Sequence, residues 1–151
     1  MKSENDEEKD YKYSETTIFK SFVNNQNTGN MIFDIYGKRE NSKIVFDLPN
    51  HDFNRSDKIG IRRVVIEWRT KEKVFAIIKS NLIDLGPCNP KRQLLSFTKL
   101  ATTTVTDIEI PEPAFYPVQI NQLENASISI EPMFDKPVPH MKNVYIQIES
   151  L

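Results

Sequence analysis

The sequence predicts an all-β fold, a single antiparallel jelly-roll β-sandwich of about eight to nine strands. Short β-prone runs follow one another from residue 31 to residue 149, with turn and proline residues between them, which is typical of a sandwich. No long window spaces its apolar residues as an amphipathic helix requires. The length of 151 residues fits one such domain.

The first residues predict no ordered element. Between Met1 and Asp10, five acidic residues accompany two lysines, and only the initiating Met is apolar. Such a segment cannot bury enough apolar surface to offset the entropy lost on ordering. We therefore divide the chain into a disordered acidic arm, residues 1–15, and a jelly-roll domain, residues 16–151. Thr16 to Val23 is an additional candidate edge strand.

Nine strands are expected after this arm. Their predicted bounds are Met31 to Tyr36, Lys43 to Leu48, Ile59 to Arg69, Lys73 to Lys79, Arg92 to Thr98, Thr103 to Ile110, Phe115 to Ile120, Ala126 to Glu131, and Asn143 to Glu149. Proline lacks the amide donor of a sheet ladder, so Pro117 predicts that its strand is an edge or a bulge. The segment Asn121 to Glu124 is the best candidate for a short helical turn.

Strict alternation of apolar and polar residues marks three of these strands, and it indicates one buried face in each. The apolar members are Val64, Ile66 and Trp68; Ala126, Ile128 and Ile130; and Val144, Ile146 and Ile148. Trp68 is therefore predicted to fill the core. By the same rule Tyr145, Gln147 and Glu149 are predicted on the polar outer face of the last strand.

The sequence contains few candidate catalytic residues and no catalytic motif. The two histidines, His51 and His140, lie in separate polar connectors, and no glycine-rich phosphate loop or nucleophile motif is present. We expect no enzyme activity, no cofactor and no metal site. The lone Cys88 cannot form an internal disulfide, which indicates a reducing compartment or a chain that does not depend on oxidative folding.

The charge pattern argues against nucleic acid as a direct partner. The formal net charge is −1, and the basic stretch from Lys58 to Lys73 is interrupted by Glu67 and Glu72. We expect this stretch to form a mixed outer face with cross-strand ion pairs. The N-terminus lacks the apolar region of a signal peptide and no apolar run is long enough to span a membrane, so a soluble, non-secreted protein is expected.

Several residues of the sequence are of the types found at protein interfaces. Four residues are predicted at a subunit interface, namely Phe115, Tyr116, Tyr145 and Gln147. The first two lie near proline-edged strands and the last two on the polar face of the last strand, and aromatic side chains in such places are typical interface anchors. Core or sheet-edge packing is the alternative for each of them.

The C-terminal part of the chain resembles a known family. Phe115 to Val118, Leu123 to Ile130 and Val144 to Ile148 are similar to the last strands of single jelly-roll capsid proteins. The likeness is to penton or minor capsid proteins of virophages and of Polinton (Maverick) and adintovirus elements, and it covers about Phe115 to Leu151. The resemblance implies a non-enzymatic subunit that forms pentamers at the vertices of an icosahedral virion capsid assembled in the host cell. It also implies a major capsid protein as partner and contacts of the arm with neighbouring subunits.

Two other functions remain open at this point. One is a soluble sandwich module that binds a carbohydrate or a peptide on one sheet, although the inward placement of Trp68 weakens the carbohydrate case. The other is a cupin-like metalloenzyme, for which the sequence offers too few ligands.

Overall fold

The computed structural model describes residues 30–41, 43–84, 93–134, 138–139 and 141–151. The strands of these described ranges lie in one compact unit, Met31–Leu151. They are β1 Met31–Glu40, β2 Lys43–Asp47, β3 Lys58–Trp68, β4 Val74–Ser80, β5 Gln93–Lys99, β6 Val105–Glu109, β7 Tyr116–Pro117, β8 Ile128–Pro132 and β9 Met141–Ser150. A single 3-10 turn, Leu123–Asn125, is the only helical element in these ranges, and none of the described residues forms a helix able to cross a membrane.

The strands form two antiparallel sheets. The larger sheet has the order β2-β1-β9-β3-β6, with β7 paired to the beginning of β3, and the smaller sheet has the order β5-β4-β8. The first and last strands of the domain are thus neighbours, and the chain crosses from one sheet to the other after β3, after β5 and on either side of β8. This is the Greek-key connectivity of a jelly roll, so the predicted fold class is confirmed.

One apolar core joins the two sheets. The inward residues of β3 and β9 are almost fully buried, as are those of β4. Trp68 reaches across to Phe97 of the smaller sheet, with ring centroids 6.2 Å apart, and its indole Nε1 donates to the Thr106 hydroxyl at 2.9 Å. Its exposed fraction is 2%. The prediction that Trp68 fills the core is confirmed, and its only polar atom is paired, as burial requires.

Most predicted strands begin and end within a few residues of the observed ones. The exception is the predicted strand Phe115 to Ile120, of which only Tyr116–Pro117 pairs with β3. After Pro117 the chain leaves this edge, because Val118 forms a bridge with Ile83 beyond β4. The prediction of a full strand there is wrong, whereas the edge position inferred from Pro117 is confirmed.

Two other local predictions have different outcomes. The helical turn predicted at Asn121 to Glu124 is present as Leu123–Asn125, anchored by the buried Leu123, whose amide donates to the His51 carbonyl at 2.8 Å. The acidic arm at residues 1–15 and the candidate strand at Thr16 to Val23 lie outside the described residues, and both stay predictions.

Candidate interaction site

The outer face of the larger sheet carries three of the residues that the alternation of β9 assigns to a polar surface. Tyr145, Gln147 and Glu149 have exposed fractions of only 4%, 2% and 3%. The alternation places them on the outer face as predicted, but the solvent exposure that it implies for that face is wrong. β9 lies between β1 and β3, and Val65, opposite Tyr145 on β3, is buried as well.

These outward residues form a hydrogen-bonded group with β1, here called the Asp34 cluster, consisting of Asp34, Tyr36, Tyr145 and Gln147. The Tyr145 hydroxyl donates to Asp34 Oδ1. Gln147 Nε2 donates to the same carboxylate oxygen at 3.2 Å and to the Tyr145 oxygen at 2.9 Å. The Tyr36 ring stacks on the Tyr145 ring with centroids 5.2 Å apart. The strand register makes this possible, because Asp34 pairs with Gln147 and Tyr36 with Tyr145.

The electrostatics of the Asp34 cluster favour protonated phenols. Burial, reinforced by the hydrogen bond to Asp34, raises the pKa of Tyr145 far above its usual range. Burial and the negative charge of Asp34 also raise the pKa of Tyr36 to about 12. A phenolate here would be poorly solvated and would face a carboxylate. The Tyr145 hydroxyl therefore acts as a fixed donor and not as an acid or base at neutral pH.

Two ion pairs extend this face across β3. A bulge between Ile61 and Arg63 inserts Arg62 as an extra residue. Arg62 Nη1 lies 3.2 Å from the buried Glu149 carboxylate, and Arg63 makes two hydrogen bonds to Asp107, at 2.8 and 2.5 Å. The predicted mixed face with cross-strand pairs is confirmed for these two arginines. Their partners Glu149 and Asp107 lie on β9 and β6.

The other two predicted interface residues, Phe115 and Tyr116, lie along β3. A Cβ atom on Gly60 would lie 2.8 Å from the Ala114 carbonyl and 3.3 Å from the Phe115 ring, so glycine permits this segment to cross β3 closely. The half-buried Phe115 therefore lies beside Gly60, whose partner Glu149 is two residues along β9 from Gln147 of the Asp34 cluster.

Tyr116 lies at the other border of β3, away from β9. It pairs with Ile59, its exposed fraction is 38%, and it lines a cavity of about 480 Å³ with Leu94, Leu95 and Ile110. The four predicted interface residues therefore do not form one exposed patch. Tyr116 is exposed and Phe115 half-buried, whereas Tyr145 and Gln147 are internal. Their role at a subunit interface stays a prediction.

An exposed aromatic pair on the smaller sheet is not predicted from the sequence. Phe75 of β4 and Phe134 after β8 have exposed fractions of 38% and 62% and pack edge to face, with centroids 5.4 Å apart. The Lys73 ammonium lies 5.1 Å from the centre of the Phe75 ring. The continuous apolar run around Phe75 conceals this, because a run without alternation does not tell which residue points outward.

The positions considered for catalysis give no cluster. His51 packs between Phe33 and Phe53, with ring centroids 4.7 and 4.8 Å away. Within the described ranges, no three His, Cys, Asp or Glu residues are grouped so that they could hold a metal ion. His140 and Cys88 lie outside those ranges.

Comparison with family models, with curated proteins and with solved structures gives no match to this chain. The functional argument therefore rests on the fold and on these surfaces.

Proposed function

We propose that this protein is a structural subunit that functions by assembly, as a penton-like capsid protein of the single jelly-roll type. In this proposal it forms pentamers at the vertices of an icosahedral shell, contacts a major capsid protein and resides in the virion. The proposal draws on the resemblance of Phe115 to Leu151 to such proteins and on the observed jelly-roll connectivity.

The observation that carries the proposal is the exposed aromatic pair at the smaller sheet. Phe75 and Phe134 present apolar rings, and the Lys73 ammonium lies over the Phe75 ring. Phe75 lies on β4, whose inner face is buried in the core. Aromatic side chains of this kind are enriched at the buried centres of protein interfaces. The edge-to-face contact between the two rings reduces the side-chain ordering that association requires.

A carbohydrate-binding module has weaker support. Its ligand would need an exposed aromatic platform beside polar groups, and the only Trp of the chain is buried. Phe75 and Phe134 meet edge to face and so do not present one flat surface for a sugar ring.

The proposal is tested by the oligomeric state of the purified chain. Light scattering coupled to size exclusion, followed by negative-stain microscopy, should give a pentamer mass and fivefold rings. The double variant Phe75→Ser, Phe134→Ser should shift the equilibrium toward monomer. Leu100→Ser is the matched control, since Leu100 is 64% exposed but lies outside the aromatic pair. A monodisperse monomer at every salt concentration and pH would contradict the proposal.

A further inference from the structure

A groove between the two sheets remains unused by the proposed function. It runs between β2 and β8, each of which is the terminal strand of its own sheet. Its volume is about 340 Å³, and its apolar lining includes Ile44, Phe46, Ile128, Ile130, Val138 and Met141. No described strand bridges this seam.

The groove exposes part of the core. Ile44 and Phe46 of β2 and Ile128 and Ile130 of β8 pack against the buried cluster, yet all four are only partly buried. Each strand alternates these residues with exposed ones. The seam therefore presents two rows of inward-pointing apolar side chains that lack a cover from the described residues.

The strand edges offer hydrogen bonds as well. β2 pairs only with β1 and β8 only with β4 in the described part of the chain. Free backbone donors and acceptors along a strand edge are a template for another strand. Because each of these strands has five residues, a complementary segment would be about five or six residues, or roughly 17–20 Å, long.

The charge of the groove specifies the segment further. Arg39 and Lys43 line it, and none of its described lining residues is a carboxylate. Arg39 comes from the inward side of β1, and its Nε donates to the Asn41 carbonyl at 2.9 Å. Since this bond uses Nε, the two terminal nitrogens of the guanidinium can bind a carboxylate in a bidentate manner.

We propose that this groove binds an extended peptide segment of a different protein as an added strand. The segment has apolar side chains at alternate positions, which cover Ile44 and Ile130, and one acidic side chain at the Arg39 end. Backbone pairing supplies affinity, while the apolar positions and the charge select the sequence. This inference does not depend on the formation of pentamers.

The test uses a fluorescein-labelled peptide of sequence EVTVTV and fluorescence anisotropy on the full chain. We expect saturable binding with a Kd below about 1 mM. The proline peptide EVPVPV, which cannot donate from the replaced positions, should bind at least about tenfold more weakly. Binding of the two peptides with equal affinity, or no saturation by 1 mM peptide, would overturn the proposal.

Charge reversal checks the orientation of the bound segment. Arg39→Glu should weaken EVTVTV about fivefold to tenfold and make KVTVTV the better ligand. Lys38→Glu is the matched control, because Lys38 is exposed on the same strand and does not line the groove, and it should leave the preference unchanged. An equal loss in both variants would refute the assignment of Arg39.

Amide hydrogen exchange distinguishes the possible occupants. The outward amides of β2 should exchange rapidly in the free protein and slow down when EVTVTV is added. Slow exchange without peptide at low protein concentration would mean that the seam is already closed within the chain. Protection that rises with protein concentration would identify a second copy as the occupant. Either result overturns binding of a foreign peptide, whatever the oligomeric state.

Discussion

The outer faces of the two sheets differ in how deeply their outward-pointing side chains are buried. On β9 of the larger sheet, Tyr145 and Gln147 are as buried as the core residues beside them and satisfy each other through Asp34. On β4 of the smaller sheet, Phe75 points outward and remains partly in solvent with Phe134. The larger sheet has thus buried its polar face, and the smaller sheet has left an apolar one exposed.

The two faces contribute differently to folding stability and to association. A buried and fully hydrogen-bonded polar group stabilises one arrangement of strands and strongly penalises others. An exposed aromatic pair contributes little to folding and is available for association. We therefore assign stability to the outer face of the larger sheet and association to that of the smaller sheet. Substitutions on both faces and a change to alkaline pH can test this contrast.

The largest effect is expected at Tyr145. Tyr145→Ala should lower the free energy of unfolding by about 3–5 kcal/mol, because it leaves a cavity and removes a donor from Asp34. Tyr145→Phe, which keeps the ring, should cost about 1–3 kcal/mol. Urea denaturation followed by tryptophan fluorescence measures both. If Tyr145→Ala cost no more than Phe75→Ala, the Asp34 cluster would not be a stabilising element.

A smaller effect is expected from two acidic residues at different depths. Glu149→Gln should cost about 2 kcal/mol, since it leaves Arg62 without a charged partner on the buried side while Arg62 keeps some contact with water. Asp107→Asn, the same chemical change at a 44% exposed side chain, should cost less than about 1 kcal/mol. Equal losses in urea denaturation would show that depth does not separate these ion pairs.

The Asp34 cluster also predicts a loss of stability at alkaline pH. In the unfolded chain a tyrosine titrates near pH 10.0, whereas the pKa of Tyr145 in the folded protein is far higher. Above pH 10 the unfolded state therefore binds fewer protons than the folded state. The free energy of unfolding should fall by about 1.4 kcal/mol per pH unit from this group and be unaffected by it below pH 10.

Tyr36 adds to the slope up to its own pKa of about 12. Denaturation series between pH 8 and pH 11.5 give the slope for the parent chain and for Tyr145→Phe. The variant should lose the part that belongs to Tyr145, and an unchanged slope would contradict the raised pKa of that residue.

A small effect on folding is expected at the exposed pair. Phe75→Ala together with Phe134→Ala should change the free energy of unfolding by less than about 1.5 kcal/mol, which is the usual contribution of an aromatic contact. The same variant should affect association more than folding. A thermal unfolding curve alongside light scattering separates the two, and a stability loss as large as that of Tyr145→Ala would remove the contrast between the sheets.

The fold could be predicted because its signals are local. Alternation around Trp68 and Ile146 reports which face is buried, and prolines such as Pro117 mark strand limits by a missing donor. These signals act within a few residues, so strand number and strand bounds follow from them. The short 3-10 turn was predictable for the same reason.

The surfaces could not be predicted, because burial of an outward face depends on which strands become neighbours. The residues near Tyr145 in the sequence do not predict its contact with Asp34, because 111 residues separate the two. The same alternation correctly predicts that Ile146 is buried and wrongly predicts that Gln147 is exposed. Likewise, the continuous apolar run around Phe75 gives no period from which an outward direction could be read.

The central position of β9 has a consequence for how the domain acquires its shape. β1 and β3 meet only through β9, so the larger sheet cannot close until a segment far along the chain has joined it. Such nonlocal pairing makes folding slow, and the edges of β1 and β3 stay open to other chains during that time. Low temperature and low chain concentration during refolding should therefore raise the yield of this domain more than they would for a protein of local contacts.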